Sequence, residues 1–344
     1  MMKMKCLKTP KKEAEKIRKK LAERKILNRD KKTITGKENV FFPLKKEIDK
    51  ELIEEICSEE VEIVEKETEP KTNKPRSLKE ALKDKFNEEE KEKLVTSFNI
   101  VGDIATLEIP EELREKEREI GKAIMKVHPS VKTVCRRENK TKGRYRIRKV
   151  HPIAGEEKTE TIYKEHGIKI KLDLNKTYFN PRLSHEREII ANKVKKGEKI
   201  GYLFAGVGPF ALVTAKKNPD VEITAVELNP EAYKYLEENI DLNNFTGTIK
   251  PINEDVKKLK GYNFERVIMT MPIYSEEFLN SVLKNISNEA IIHYYSLGEE
   301  PDYYEKPMKE LKKHIDNFEV LDKREVLNYA PGKKEVVIDI KIKS

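Results

Sequence analysis

Hydrophobic and polar positions change period along this chain, and the changes divide it into three regions. From residue 199 onward, short apolar runs alternate with stretches of helical spacing. Strands are predicted at 199–204, 222–227, 248–253, 266–271 and 290–295, with helices near 209–217, 230–242, 276–285 and 304–318. Two closing strands, 319–327 and 335–342, flank the turn Ala330-Pro331-Gly332. Strand and helix in strict alternation predict an open α/β sheet.

The middle region reads differently, helices first and strands afterwards. A helix is expected over 78–86, strand patterning over 98–109, and a helix over 112–127 with Leu113, Ile120, Ala123, Ile124 and Val127 on one face. KTVCRREN and GRYRIRKV then alternate as strands of a half-exposed sheet, and TETIYKEHGIKIKLDL forms a hairpin turning at His166-Gly167. Asn180-Pro181-Arg182-Leu183 breaks that pattern and leads into the helix SHEREIIANKV, for which Ser184 is the expected N-cap. Glu186 falls in its first turn, beside the sheet that follows.

The N-terminal region has the thinnest apolar pattern. It predicts a strand at 4–7, a helix over 11–24, a hairpin in ITGKENVFFPL, a helix over 46–56 and a strand at 61–65. So small a core suggests an accessory module. The prolines and charges of KETEPKTNKPRS, 66–77, then read as a linker. The expected architecture is α/β: a Rossmann-like domain at 173–344, preceded by two smaller α+β domains at 1–68 and 69–172.

Charge narrows the partners. Of 344 residues 39% are charged and the net charge is +9, which points to a polyanion. The surplus is concentrated at 1–25, with eleven Lys and Arg against three acids, and at 132–149, with nine against one. The first stretch suits a solvated helix face. The second interleaves Tyr145, Ile147 and Val150 with Arg136, Arg137, Arg144, Arg146 and Arg148, a pattern suited to RNA phosphates. The abundance of Lys and Glu and the absence of glutamine resemble proteins built for high temperature. Cys6, Cys57 and Cys135 lie too far apart for a zinc motif or a disulfide framework, and no segment is apolar and long enough for a signal peptide or a membrane span. We therefore expect a cytoplasmic monomer with no metal and no membrane contact.

Chemistry concentrates in KIGYLFAGVGPFALVTAKKNPDVEITAVELN, 199–229. A strand, a glycine turn, a helix and a second strand ending on an acid form a nucleoside site over the carboxyl ends of a parallel sheet. Gly206 and Gly208 allow a tight turn and close backbone approach, and Glu227 is placed to accept ribose hydroxyls. Asn229 starts the next helix, and Asp255 follows the third strand where an adenine amino group would lie. The closing hairpin, foreign to dinucleotide-binding dehydrogenases, favours S-adenosylmethionine over NAD and gives the element order of a class I methyltransferase.

FNPRLSHER, FAGVGPF, AVELNP, IIHYYSLGE and GRYRIRKVHPIAGE together resemble the archaeal and eukaryotic class of tRNA (guanine-37, N1)-methyltransferases. The resemblance implies an S-adenosylmethionine-dependent enzyme that methylates N1 of guanine 37, beside the anticodon, while its upstream domains grip the tRNA. It implies that Glu186 is the general base and that Arg146 steadies the guanine O6. Tyr178, Phe204, Ala205, Gly206, Gly208, Glu227, Asn229, Asp255 and Pro272 match the cofactor side. Arg136, Arg144, Arg148, Asn180, Arg182, Thr270 and Tyr274 are the expected RNA contacts. The chemistry is coherent: guanine N1 becomes nucleophilic on losing its proton, a cation offsets the charge that moves to O6, and an aromatic ring stacks on the displaced base.

Two positions depart from the family pattern. Thr270 in TMPIY replaces an asparagine that would both donate to and accept from guanine, and Tyr202 in GYLFAGVG replaces an acid expected to meet the methionine ammonium. Three alternatives follow: methylation of the tricyclic 4-demethylwyosine at the same position, aminocarboxypropyl transfer in the wyosine pathway, and a non-catalytic tRNA-binding protein.

Overall fold

The computed structural model describes residues 2–45, 61–69, 75–138, 145, 147–245 and 247–343. The chain divides into two compact units, Met1–Pro75 and Arg76–Ser344.

In the first unit, β1 (Met2–Pro10) is flanked by β3 (Asn39–Pro43) and β4 (Glu62–Thr68), and β2 (Ile34–Thr35) pairs outside β3, all antiparallel. Helix α1 (Ala14–Glu23) packs Ile17 and Leu21 against Leu7, Val40 and Phe42. The linker expected from residue 66 starts later, because Lys66–Thr68 pair with Met2–Met4 and Thr68 is buried. Its last residue, Ser77, caps a helix by accepting from the Glu80 N–H. The helix expected over 46–56 lies outside the described residues.

The second unit opens with α2 (Leu78–Leu82) and α3 (Glu88–Lys93), the latter held by an Asn87–Glu90 capping box. A four-stranded sheet follows, in the order β5 (Phe98–Val101), β6 (Ile104–Leu107), β7 (Thr133–Arg137), β8 (Val150–Gly155). Helix α4 (Glu117–Val127) covers one face, where Ile120 and Ile124 meet Leu107, Val134 and Ile153. Cys135 and Val150 face the other side. Of the strand predicted for GRYRIRKV, β8 begins at Val150, and just before it the Lys149 carbonyl accepts from the Glu138 N–H at 2.9 Å; residues 143, 144 and 146 lie outside the described residues. Val150 is completed on its free edge by the Asn175 side chain, which accepts from its N–H and donates to its carbonyl.

The hairpin β9 (Glu160–Glu165) and β10 (Ile168–Asp173) turns at His166-Gly167 as predicted, both at positive φ. Ile168, Ile170 and Leu172 enter the same core as Ile200 and Phe210, and the Asn239 side chain binds the Lys171 backbone in both directions. Next, a 3-10 turn (Pro181–Leu183) precedes α5 (Ser184–Lys193). Ser184 is not the N-cap: Asn180 accepts from the Arg182 N–H, Pro181 starts the turn, and Ser184 is already helical. Its hydroxyl meets His166 Nε2 at 3.0 Å instead.

The remaining chain builds a seven-stranded sheet from β11 (Lys199–Leu203), β12 (Glu222–Glu227), β13 (Thr248–Asn253), β14 (Phe264–Met269), β15 (Ile286–Glu299), β16 (Phe318–Ala330) and β17 (Lys333–Ile342). Their order is β13-β12-β11-β14-β15-β17-β16. The first five are parallel and reverse direction of growth at β11, so the crevice lies over the carboxyl ends of β11 and its neighbours. Only β17 runs antiparallel between β15 and β16. The crossovers run through α6 (Pro209–Lys217), α7 (Pro230–Asp241) and α8 (Leu279–Leu283), and α9 (Glu305–His314) precedes β16. Side chains of alternate parity fill two cores, one with Tyr202, Phe210 and Tyr295, the other with Leu203, Met269 and Tyr294. Among the described residues, no helix is long and apolar enough to cross a membrane.

Candidate active site

The glycine turn sits at the crevice. Phe204, Gly206 and Gly208 all have positive φ, +63°, +56° and +87°. A non-glycine residue in that region stores strain, which is most common at functional sites. Gly208 is required by packing as well as by conformation, because a Cβ there would lie 2.4 Å from Leu236 Cδ1. Beside Gly206 the nearest atom to such a Cβ is the Tyr178 carbonyl oxygen at 3.7 Å, so its surroundings are open. Ala205 donates from its N–H to the Val226 carbonyl at 2.9 Å, which ties the turn to β12.

Glu227 closes the turn from the end of β12. Its two oxygens accept from the Gly206 N–H at 2.6 Å and the Asn229 N–H at 2.7 Å. Burial pushes this carboxyl above the ordinary range, against the pull of those backbone donors. Asn229 is buried with both ends of its amide engaged: Oδ1 accepts from the Glu231 N–H and Nδ2 donates to the Lys176 carbonyl. It therefore caps α7 and draws the loop carrying Tyr178 over the turn. Asp255 caps the short 3-10 turn after β13 by accepting from the Lys257 N–H at 2.9 Å.

The loop after β14 forms the other wall. The strand ends at Met269, two residues earlier than predicted, so Thr270 and Met271 open the loop instead of finishing the strand. Ser275 donates to the Met271 carbonyl at 2.5 Å and folds the loop around Pro272. The Thr270 hydroxyl meets the Phe204 carbonyl at 3.5 Å and the Tyr202 phenol. Tyr202 is 2% exposed and packs on Phe210, in the core below the crevice and not in its wall. Tyr178 and Tyr274 are 57% and 50% exposed, one in the loop that the Lys176 carbonyl ties to Asn229 and the other in the loop after β14.

Glu186 is buried at 5% exposure. Its Oε1 accepts from the Tyr295 hydroxyl and from Arg324 Nη2, each at 2.5 Å, and its Oε2 accepts from Arg324 Nε at 3.1 Å. Tyr295 follows the Met269–Tyr294 pair, so this carboxylate stands level with Thr270 at the carboxyl ends of the strands. Arg324 also reaches Asp322 and Asp339, and Asp339 bonds to buried His293. Burial opposes the Asp339 charge, but the His293 hydrogen bond together with Arg324 and Lys193 outweighs it and holds this carboxyl below its usual range. Burial likewise pushes His293 towards its neutral form. The next residue, Arg187, is 1% exposed and paired to Glu165 of β9 through two hydrogen bonds of 2.5 and 2.7 Å. Arg324 and Tyr295 carry no signal in sequence spacing, since they lie 138 and 109 residues from Glu186.

The basic residues separate into different roles. Arg136 points to the α4 side and donates from Nε to Glu117 at 2.9 Å. Arg148 donates to Glu108 at 2.8 Å, and Arg182 donates to the Asn99 side chain at 3.2 Å. Asn180 holds the turn that carries Arg182, and its carbonyl accepts from Arg187. Arg144 and Arg146 lie outside the described residues.

Comparison with known proteins gives this arrangement its family. Residues 161–321 match the TRM5/TYW2 methyltransferase domain, 78–159 the TYW2 N-terminal domain, and 6–53 the tRNA methyltransferase 5 N-terminal domain. The chain is 41% identical over 285 residues to a tRNA (guanine(37)-N(1))-methyltransferase, Trm5b, of Pyrococcus abyssi, covering 82% of this chain and 84% of that protein. It is 39% identical to the Trm5b of Methanocaldococcus jannaschii over 98% of both chains. A tRNA 4-demethylwyosine(37)-methyltransferase, Taw21, of Saccharolobus solfataricus is 31% identical over 71% of this chain and 93% of its own. Among solved structures, that of aTrm5 in complex with tRNALeu superposes with a TM-score of 0.83 at 36% identity, over 98% of this chain and 99% of the other. This chain belongs to the Trm5 family of tRNA methyltransferases.

Proposed function

We propose that this protein transfers the methyl group of S-adenosylmethionine to N1 of guanine 37 in tRNA, with Glu186 as general base. The observation that carries the reading is a buried carboxylate fixed by three hydrogen bonds at the carboxyl ends of the strands, level with the loop that follows β14. Oε1 has two donors and Oε2 one longer contact, so Oε2 keeps the lone-pair capacity to take the N1 proton.

The residues of the glycine turn fit the cofactor. Glu227 offers carboxylate oxygens to the ribose hydroxyls, the open side of Gly206 admits the backbone approach, and Asp255 lies after β13 for the adenine edge. Bound there, S-adenosylmethionine supplies an electrophilic methyl group. Tyr178 and Tyr274 are exposed aromatic side chains on which an unstacked base can stack. Arg146 is assigned to the O6 charge by family resemblance.

Thr270 favours a second substrate. Its hydroxyl is occupied by Phe204 and Tyr202 rather than offering the paired donor and acceptor of an amide, so the loop selects its base by shape, which suits the larger ring of 4-demethylwyosine.

The test uses cofactor labelled separately in the methyl and carboxyl groups, with tRNA transcripts carrying guanine 37, adenine 37 or 4-demethylwyosine. Methyl label on guanine 37 supports the proposal, and retained carboxyl label overturns it in favour of aminocarboxypropyl transfer. Label on 4-demethylwyosine alone leaves only the second reading. Glu186→Gln is expected to abolish most turnover while cofactor affinity persists.

A further inference from the structure

Three arginines converge on the face of the β5–β8 sheet that α4 leaves uncovered. Strand alternation puts Asn99, Thr106, Glu108, Cys135 and Arg137 on this face, with Asn99 paired to Thr106 and Arg137 to Val150. Arg137 comes from the end of β7, Arg148 from the segment before β8, and Arg182 from the turn before α5, anchored on Asn99 at 3.2 Å. The acid they meet among the described residues is Glu108, 2.8 Å from Arg148 and 4.0 Å from Arg137. Arg182 makes no ion pair among the described residues.

Such a cluster is costly unless an anion completes it. The Arg137 Nε is buried and has no acceptor among the described residues. Burial first, and then the neighbouring Arg148 and Arg182, disfavour the Arg137 charge, with Glu108 offsetting only part. Guanidinium groups recognise phosphate oxygens through paired N–H donors. Arg182 also lines a cleft of about 340 Å³ with Glu325, Val326, Leu327, Asn328 and Lys334, in which Glu325 is neutralised by Lys334 at 2.6 Å and Val326 lies two residues beyond the Arg324 that holds Glu186. A nucleotide whose base reaches Glu186 therefore carries its backbone past this cluster.

We propose that Arg137, Arg148 and Arg182 form one seat for a single RNA phosphodiester adjoining the target nucleotide. The inference rests on the tRNA reading and deepens it. Arg136, committed to Glu117, is not part of the seat.

The test measures binding of full-length protein, without cofactor, to an anticodon stem-loop RNA in which each phosphodiester near position 37 is replaced in turn by a neutral methylphosphonate. Arg137→Gln, Arg148→Gln and Arg182→Gln are each expected to weaken binding about tenfold and to lower the salt slope by about one. One neutral linkage weakens the wild-type protein to the same extent and has no further effect in the three variants. Arg136→Gln serves as control, expected to keep the salt slope, and unfolding curves confirm that every variant is folded. Variants that bind like wild type, or losses that multiply with every neutral linkage, overturn the seat. Loss of guanine-37 methylation with the coupling intact overturns the functional reading alone.

Discussion

Tyr202, buried under the crevice, has Thr270 as a neighbour just past the end of the adjacent strand, and Thr270 opposes part of the rise that burial gives the Tyr202 phenol. These are the two positions at which the sequence departs from the pattern expected of the family, and they are neighbours in the fold. A Tyr202→Phe, Thr270→Val double-mutant cycle read by denaturant unfolding should show a coupling of about 0.5–1.5 kcal/mol. Strictly additive losses would show that the contact contributes nothing.

Glu186 and Arg324 form a pair that neither residue leaves without cost. Arg324→Gln removes the cation from buried Glu186 and one of the partners of buried Asp339, which keeps Lys193 and His293, and should destabilise the protein by about 3–5 kcal/mol. The Arg324→Gln, Glu186→Gln double variant should recover part of that loss. An equally unstable double variant would place the cost at Asp339 alone.

Glu335 gives stability an inverted dependence on pH. Burial first, then the nearby Glu186 charge, push its carboxyl from the ordinary 4.5 up to about 7. Between those values it stays protonated in the fold and ionises in the unfolded chain, which therefore binds fewer protons. Stability contributed by this group is fully present below about 4.5, falls as pH rises, and is lost above about 7, by at most about 3 kcal/mol. Chemical denaturation across this range should show the decline, and Glu335→Gln should flatten it; an unchanged slope would assign it to other groups.

The two glycines of the turn should fail differently. Gly208→Ala meets both a φ of +87° and the Leu236 side chain, and should destabilise the fold by about 2 kcal/mol or more. Gly206→Ala meets no such crowding and should cost only about 1–2 kcal/mol, with a larger loss in cofactor affinity. Calorimetric titration and thermal unfolding of both variants separate the effects. Equal losses in affinity and stability for the two would remove the distinction.

Local periodicity made the parallel sheet, its crossovers and the closing hairpin legible, because each is written within ten or so consecutive residues. The glycine turn and Glu227 were legible for the same reason. What escaped was long-range pairing. Arg324 looks like one more solvated charge until β16 is laid beside β17 and its side chain falls on the Glu186 face. Tyr202 suggested a pocket residue by its proximity to the glycine turn, whereas strand alternation turns it into the core. Ser184 had the right chemistry for a cap, but Asn180-Pro181 had already begun the turn. The arginines illustrate the limit best: five similar residues in one basic stretch, of which strand parity sends Arg136 to α4 and Arg137 to the opposite face.

The ion pair between Glu165 and Arg187 has a consequence for inheritance. Glu165 belongs to the hairpin that follows the β5–β8 sheet, and Arg187 is covalently next to Glu186. The hairpin also contributes three side chains to the core beneath the crevice. A hybrid joined after residue 173 that lacked an acid at the Glu165 position would carry a buried guanidinium without its carboxylate, one residue from Glu186. Exchange of the domain ahead of the hairpin in this architecture is therefore expected to respect a seam before residue 160, so that Glu165 and Arg187 travel together.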